Sequence, residues 1–198
     1  MTLFFACLFS YLVGSIPNGL ILGKLLWNID LREYGSHNIG ATNAWRTLGK
    51  GPGLLIFFLD FLKGVIGVWL GSMVSGTPFS LVLVGIFAIL GHSCSLFLHF
   101  KGGKGVATGL GVIAMLMPQT TIVVFLLWLI IVYLTRYVSL GSIIAAAGVP
   151  LLAWWANAPA EYIIFGVVAA IFVIYRHKTN IKRLLKGTES KIKAGKRP

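Results

Sequence analysis

Carboxylates are scarce in this chain. Only five of its 198 residues are Asp or Glu, against 17 Lys and Arg. A two-metal catalytic site needs several acidic ligands, and no Cys/His cluster has the spacing of a zinc site. The sequence therefore predicts no metal and no other cofactor.

Cysteine is almost absent as well. Cys7 and Cys94 lie near opposite ends of their apolar segments, so we expect no disulfide between them. Neither a reactive cysteine nor a Ser–His–Asp set indicates a covalent nucleophile. No Gly-Lys pair is followed by Ser or Thr, which excludes a Walker A loop.

Long polar stretches are lacking too. Hydrophobic residues make up 57% of the chain and the mean hydropathy is +0.88, which is typical of a protein with several membrane spans. We expect one membrane-embedded domain over residues 1–198, in which residues 179–198 form a basic cytoplasmic tail. No basic segment precedes the first apolar run, so we expect no cleavable signal peptide.

The net charge of +12 first suggests nucleic acid as a partner. The placement of the charges argues against it, because Lys and Arg cluster beside the apolar segments and in the tail after Tyr175. Anionic membrane lipids and the orientation of spans explain such a placement. The sequence predicts contacts with membrane lipids and none with nucleic acid.

A membrane-spanning helix needs about 20 apolar residues. Pro17 interrupts the first such segment and predicts a break there. Five of the expected spans are clear from hydrophobicity: about Leu3–Trp27, Gly51–Met73, Phe79–Phe100, Ser139–Trp155 and Glu161–Tyr175.

The run from Gly105 to Leu134 is compatible with one long helix or with two short helices that turn at Met117–Gln119. A turn places Arg136, Lys104 and the basic tail on one side, and cytoplasmic loops carry an excess of Lys and Arg. This bias favours seven spans in an all-α, polytopic membrane bundle. The amino terminus would lie outside and the carboxyl terminus in the cytoplasm.

Two charges fall within the second span. Asp60 and Lys63 are three residues apart and can pair within one helix. Charged residues at this depth indicate function by default, although a neutralised pair is often structural. We expect a structural pair.

A glycine-rich stretch, KGGKGVATGLG, follows the third span. Glycines allow close backbone approach, and free N–H groups at a helix start together with a lysine suit a phosphate group. The alternative is a flexible hairpin with two snorkelling lysines. The candidate binding residues here are Lys101, Gly102, Gly103, Lys104 and Thr108.

A second polar stretch, GSHNIGATNAWR, is rich in small residues, hydroxyls and amides and ends in Arg46. Thr42 or Asn43 can cap a short helix whose N–H groups face an anion, and Arg46 can clamp that anion. An ordinary polar loop is the alternative. The candidate residues are Ser36, His37, Asn38, Gly40, Ala41, Thr42, Asn43 and Arg46.

Two further stretches, RYVSLGS and HKTNIKRLLKGTESK, begin at Arg136 and His177. Their serines can cap a helix or face a ligand, and the second stretch also fits a basic interfacial helix with His177 and Asn180 on one face. His92 lies near the glycine-rich stretch. The candidates added here are Ser139, Ser142, His177, Asn180, Arg183, Glu189 and His92.

With the proposed topology these four stretches meet at the cytoplasmic face. Their composition predicts a site for one or two phosphorylated molecules that operates without a metal. A membrane transporter for a phosphate-type anion is the main alternative, because broken helices often bind anions in transporters. A CDP-alcohol phosphotransferase needs an aspartate cluster that is missing here, and a purely structural protein leaves the composition unexplained.

The motifs GSHNIGATNAWR, GHSCSLFLHFKGGKGVATGLG, RYVSLGS and HKTNIKRLLKGTESK occur in this order and, with GSIPNG at Gly14, cover essentially the whole chain. In them the sequence resembles the bacterial acyl-phosphate-dependent glycerol-3-phosphate acyltransferases, integral membrane enzymes of phospholipid synthesis. His37 departs from the family pattern, which usually has glycine there. The chain also lacks the HxxxxD motif of acyl-CoA and acyl-carrier-protein acyltransferases.

The resemblance implies transfer of a fatty acyl group from acyl phosphate to the 1-hydroxyl of glycerol 3-phosphate at the cytoplasmic side of the bacterial inner membrane. The products are lysophosphatidic acid and phosphate. Since an acyl phosphate is already activated, such an enzyme needs mainly positioning and charge stabilisation. The oligomeric state stays open, a monomer included.

The resemblance also suggests roles for individual residues. Ser36, the Gly40–Asn43 backbone, Lys104 and Ser142 would hold the acyl phosphate group. Arg46, His177 and Asn180 would orient glycerol 3-phosphate. The hydroxyl proton can go to His177 or to a substrate phosphate, and the sequence leaves both open. Lys104, Ser142, His177 and Asn180 are the predicted catalytic residues.

Overall fold

The computed structural model describes residues 2–193, and these residues form helices and connecting loops without a strand. Residues 194–198 of the basic tail lie outside the described range. A 3-10 turn covers Leu96–Leu98. The ten α-helices are α1 (Leu3–Ser15), α2 (Asn18–Trp27), α3 (Ala41–Leu48), α4 (Lys50–Val74), α5 (Pro78–Ser93), α6 (Val106–Leu116), α7 (Pro118–Thr135), α8 (Val138–Trp155), α9 (Ala160–Arg176) and α10 (Lys178–Leu185).

Within the described residues, five segments are long and apolar enough to cross a membrane, and α9 with α10 makes a sixth if that bent pair is one span. The prediction of an all-helical membrane bundle is confirmed. By length, α6 does not reach a full span, because its 11 residues cover about 16 Å. The count of seven is therefore not established by helix length alone.

The helices break at both places where a break was expected. Pro17 separates α1 from α2, and Pro118 is the first residue of α7, directly after α6 ends. Two helices rather than one thus fill the run from Gly105 to Leu134, as the charge argument predicted. The third candidate span, Pro78–Leu98, agrees closely with the predicted Phe79–Phe100, although only part of it is α-helix. Its helix ends at Ser93 because the chain turns through the 3-10 segment and reaches Phe100 with a φ of 62°.

Glycines allow the helices of the amino-terminal half to approach closely. α1, α4, α5 and α6 pack on one another. A Cβ atom on Gly64 of α4 would collide with the Thr108 carbonyl of α6, and one on Gly111 would collide with the Phe61 carbonyl. Small residues at such contacts are typical of membrane helix packing.

The charged pair in α4 is confirmed as an ion pair. The Lys63 ammonium lies 2.8 Å from the Asp60 carboxylate, and both side chains are buried. Lys63 also donates to the Ile16 carbonyl at 2.5 Å, and Asn18 donates to Asp60 at 3.1 Å. The pair therefore connects α4 to the Pro17 break, where the Ile16 carbonyl also accepts from the Asn18 N–H at 3.0 Å.

The carboxyl-terminal half forms a second group of helices, in which α7 packs on α8 and α8 packs on α9. The first group meets it through contacts of α5 and α6 with α9 and of α6 with α7. α9 and α10 are bent by 61° at His177. The four polar stretches lie in the loops and short helices at one end of the two groups.

We expect Gly64→Ala to lower the stability of the purified protein in detergent by about 1–3 kcal/mol, because the added methyl group pushes α4 away from α6. Gly51→Ala is the matched control in the same helix, where a Cβ atom meets no other atom within 4 Å. Thermal unfolding of both variants measures the difference. Equal melting temperatures would contradict the close α4–α6 contact.

Candidate active site

A cavity of about 200 Å³ lies between the two helix groups. Its polar end is formed by the predicted loops, and its deeper wall is apolar. The polar end is lined by Ser36, Asn38, Gly40, Ala41, Thr42, Asn43, Arg46, His92, Lys104, Gly105, Ser139, Ser142, His177, Asn180 and Glu189. The apolar wall includes Phe57, Leu110, Ile113, Val124, Phe125, Val149, Phe165 and Val173.

The first polar wall is the start of α3. Gly40 is the N-cap and no side chain caps the helix, so the expected capping by Thr42 or Asn43 is wrong. The Asn43 side chain instead turns back into the preceding loop, where it accepts from the Ser36 N–H at 2.8 Å and donates to the carbonyls of Leu31, Tyr34 and Asn38. These bonds shape the loop. The Asn43 N–H donates to the Gly40 carbonyl at 3.0 Å, so the first-turn N–H groups that stay available to a ligand are those of Ala41 and Thr42.

The second polar wall is the start of α6. The N–H groups of Gly102 and Gly103 donate to the carbonyls of Ser93 and His92 at 3.1 and 3.0 Å. These two glycines therefore do not offer N–H groups to an anion, contrary to the expectation, because they pair with the end of α5. The cavity is lined instead by Gly105, Val106 and Ala107. These residues lie at the start of α6, where the first N–H groups have no carbonyl partner within their own helix.

Lys104 connects the glycine-rich loop to α10. Its ammonium donates to the Asn180 side-chain oxygen at 2.5 Å. Burial lowers the pKa of Lys104 to about 8; Glu189 opposes this shift, and the guanidinium groups of Arg183, Arg46 and Arg176 add to it. A lysine with such a pKa is charged at neutral pH and lacks a full counter-charge, which favours binding of an anion.

Glu189 organises the carboxyl-terminal side of the cavity. Its buried carboxylate accepts from Ser139 at 2.7 Å and from Asn180 and Arg183 at 2.6 Å. Burial raises the pKa of Glu189, but the three hydrogen bonds outweigh burial and keep that pKa below its usual value. The carboxylate therefore stays ionised and fixes the side chains around it.

The segment after α10 also engages Arg46. One guanidinium nitrogen of Arg46 donates to the Ser190 carbonyl at 2.6 Å, whereas its buried Nε has no hydrogen-bond partner among the described residues. Arg46 is thus held at the cavity with donor capacity left over. A buried donor without a partner is costly unless a ligand satisfies it.

Three further candidates lie on the cavity wall. Ser142 donates to the Val138 carbonyl at 2.9 Å and accepts from the Trp128 ring nitrogen at 3.3 Å. His177 is buried at the α9–α10 bend, with its Nδ1 at 2.8 Å from the Val173 carbonyl. His92 is buried, and its Nδ1 lies 3.7 Å from the Asp60 carboxylate.

Several candidates lie outside the cavity. His37 is exposed, adopts a φ of 55° and contacts the Arg32 carbonyl with its Nδ1, and Lys101 is exposed as well. Thr108 is buried and donates to the Asp60 carbonyl at 2.9 Å. Arg183 lines a second, more polar cavity of about 300 Å³, which shares Ser36, Asn38 and Lys104 with the first. None of these four residues lines the first cavity, and their binding roles stay predictions.

Three residues at the site were not among the candidates. Asp60 lines the cavity in addition to pairing with Lys63, and Trp128 orients Ser142. Arg176 donates to three carbonyls around the glycine-rich loop. Its place directly before the HKTN motif was the one signal in the sequence, whereas nothing in the sequence places Asp60 or Trp128 at the cavity.

The arrangement suits a phosphate group that carries an apolar chain. Two helix starts, Lys104 and Arg46 face one polar end, and an apolar wall continues from it. Helix N-termini and cationic side chains stabilise phosphate oxygens. Within residues 2–193 no three His, Cys, Asp or Glu side chains come together as metal ligands.

Comparison with known proteins agrees with this chemistry. The family model for glycerol-3-phosphate acyltransferase matches residues 4–187. The chain belongs to the glycerol-3-phosphate acyltransferase family. The glycerol-3-phosphate acyltransferase of Desulforamulus reducens is 46% identical over 92% of both chains. That of Fusobacterium nucleatum is 44% identical and covers 98% of this chain and 100% of its own.

Two solved structures share the fold of this acyltransferase family member. The glycerol 3-phosphate form of PlsY (YgiH), an integral membrane glycerol 3-phosphate acyltransferase, has a TM-score of 0.91 and 43% identity and covers 96% of each chain. The lysphosphatidic acid form has a TM-score of 0.88 and 42% identity, with coverage of 96% and 94%. The family assignment favours acyl transfer over the transport alternative.

The pKa of Lys104 predicts a pH dependence for this acyltransferase. Because the ammonium must be charged to bind phosphate, we expect kcat/KM to fall as the pH rises through about 8. In Lys104→Arg the guanidinium stays charged at these pH values. The fall should therefore disappear from the pH profile of that variant, and an unchanged alkaline limb would contradict the assignment.

Proposed function

We propose that this protein transfers a fatty acyl group from acyl phosphate to the 1-hydroxyl of sn-glycerol 3-phosphate. The products are 1-acylglycerol 3-phosphate (lysophosphatidic acid) and inorganic phosphate, and the reaction is the first acylation step of bacterial phospholipid synthesis. One observation carries the proposal: the start of α3, the start of α6 and Lys104 face a common polar end that opens onto an apolar wall.

The acyl phosphate would bind with its phosphate at the polar end. Ser36, the N–H groups at the start of α3 and Lys104 contact the phosphate, and Ser142 assists them. The acyl chain lies along the apolar wall, where burial of each methylene contributes about 0.8 kcal/mol. One cavity thus accommodates both the phosphate group and the acyl chain of the donor.

Glycerol 3-phosphate would bind on the side of α10. Arg46, with its free Nε, and Asn180 orient the acceptor together with His177. Asn180 contacts both Lys104 and Glu189, so it links the groups that hold the two substrates. Arg183 acts through Glu189, which it holds from outside the main cavity.

The chemistry needs no covalent enzyme intermediate. The 1-hydroxyl oxygen attacks the acyl carbonyl carbon. The bond between that carbon and the oxygen that bridges it to phosphorus then breaks, and phosphate leaves with the electron pair of this bond. The hydroxyl proton passes to His177 or to a phosphate oxygen. Lys104 and the two helix starts stabilise the charge that moves onto the leaving phosphate.

We propose seven membrane crossings in the bacterial inner membrane, in which the short α6 is the additional one. The amino terminus lies outside, and the site and the carboxyl terminus lie on the cytoplasmic side. Contacts between distant polar segments support a common side: Arg46 reaches Ser190, and the Ile192 N–H donates to the Arg136 carbonyl. The cavity is formed within one chain, which is compatible with a monomer.

We expect purified protein to convert palmitoyl phosphate and labelled glycerol 3-phosphate into lysophosphatidic acid in the presence of EDTA. An acyl phosphate is an activated mixed anhydride, so cationic groups and positioning suffice. Palmitoyl-CoA, the control donor, should give no product. Turnover with palmitoyl-CoA alone would disprove the donor assignment, and loss of activity in EDTA would disprove catalysis without a metal.

The same assay tests the assigned phosphate site. Lys104→Met removes one charge while keeping most of the side-chain volume, and we expect a loss of at least about 10²-fold in turnover. Lys182→Gln is the matched control, because Lys182 is exposed on α10 and does not line either cavity. Near-normal turnover by folded Lys104→Met would show that the phosphate binds elsewhere.

The topology predicts which exposed loops a membrane-impermeant thiol reagent reaches. In a background with Cys7→Ser and Cys94→Ser, we expect Ala156→Cys to be labelled in intact cells. His37→Cys and Lys101→Cys should be labelled only after the membrane is opened. If His37→Cys and Lys101→Cys were labelled from opposite sides of the membrane, the two loops at the polar end would face different compartments. That result would refute the common site.

A further inference from the structure

Arg176, the last residue of α9, reaches the glycine-rich loop. One of its terminal nitrogens donates to the Gly103 carbonyl at 2.6 Å, to the Gly102 carbonyl at 3.2 Å and to the Ser93 carbonyl at 3.3 Å. Hydrogen bonds from a charged donor are about twice as strong as neutral ones. A single guanidinium therefore gathers three carbonyls from the end of α5 and from the loop.

The loop is held from its other side by the main chain. The N–H groups of Gly102 and Gly103 pair with the carbonyls of Ser93 and His92. A Cβ atom on Gly103 would collide with the His92 ring. With both its N–H groups and its carbonyls engaged, this turn has one backbone path, and that path determines where Lys104 begins.

Arg176 also belongs to the opposite side of the site. It directly precedes His177, and Asn180 on the following helix accepts from Lys104. Arg176 thus connects two segments: the loop that carries Lys104, and the α9–α10 segment that carries Asn180, the hydrogen-bond partner of Lys104. Changes at Arg176 should move the two sides of the polar end relative to each other.

The charge of Arg176 is not neutralised by a nearby carboxylate. None of the five ion pairs among the described residues includes it, and Glu189 is already bound to Arg183. Arg176 lines the second polar cavity together with Lys104, Lys178 and Arg183. Its positive charge is therefore one of those that act on Lys104.

We propose that Arg176 is a positioning residue for acyl transfer: its guanidinium clamps the Gly102–Gly103 turn to the α9–α10 bend, sets the place of Lys104 and adds a positive charge to the cavity that Lys104 shares. The assignment of acyl transfer through Lys104 rests on the proposed function. The clamp itself rests on the three carbonyl contacts and on the shared cavity.

The clamp and the charge can be separated with two variants. Arg176→Lys keeps the charge but loses the planar, forked donor, and lysine does not replace arginine at such sites. We expect its kcat/KM to fall on the order of 10²-fold, because a displaced catalytic group typically costs that much. The alkaline limb of its pH profile should stay at the same pH as in the wild type. Arg176→Gln loses the charge as well, so its alkaline limb should move to higher pH.

The direction of that shift follows from the surroundings of Lys104. A positive neighbour lowers the pKa of a lysine, and removing it raises that pKa. The other charged or titratable groups around Lys104 stay in place in Arg176→Gln, and they are Glu189, Arg183, Arg46 and His177. Lys182→Gln removes an equal charge from the outer surface of α10 and should leave the limb unmoved.

A second measurement does not depend on catalysis. The rate at which an amine-reactive reagent labels Lys104, followed by mass spectrometry across pH, reports the pKa of its ammonium in each folded variant. If wild-type protein fails to use palmitoyl phosphate while labelling still shifts in Arg176→Gln, the proposed function fails and the clamp stands. Wild-type kcat/KM in Arg176→Lys, or equal labelling profiles in Arg176→Gln and wild type, would overturn the clamp.

Discussion

The contact between Lys104 and Asn180 joins the two halves of the bundle at the polar end. Lys104 belongs to the loop between α5 and α6, and Asn180 belongs to the short helix after α9. Asn180 in turn donates to Glu189, which also holds Ser139 and Arg183. A chain of charge-assisted hydrogen bonds therefore fixes four separate segments, and such bonds are the strong ones in proteins. Without it the helix starts and the lysine would not face one cavity.

The backbone breaks that form the site are stabilised by groups away from it. Pro17 interrupts the first span, and Lys63 donates to the Ile16 carbonyl at this break, which also accepts from the Asn18 N–H. Asp60 balances that lysine, and its main-chain carbonyl accepts from Thr108 next to the start of α6. Irregular backbone inside a membrane is tolerated only where the protein satisfies its polar groups. The ion pair in α4 is thus structural and also supports the geometry of the phosphate end.

Much of this arrangement could be predicted from the sequence. Hydrophobic length predicted the long spans, Pro17 predicted the first break, and the charge bias correctly favoured a turn near Met117. Composition pointed to Lys104 and Arg46. It could not show that Asn43 turns away from the helix start or that Gly102 and Gly103 pair with α5, since these outcomes depend on contacts between segments. Arg176 was missed for the same reason, because its role exists only through carbonyls about 80 residues earlier in the chain.

The gathering of several cations at the polar end has an energetic consequence. Burial and neighbouring guanidinium groups lower the pKa of Lys104, so its charged form is held in an unfavourable place. Glu189 offsets only part of this, because its three hydrogen bonds already use the carboxylate. An incoming phosphate supplies the missing negative charge, and the repulsion among the cations then becomes attraction to the ligand. In the proposed reaction the same groups would also attract the leaving phosphate, and a fixed set of cations can in this way favour a reaction whose charge moves onto its leaving group.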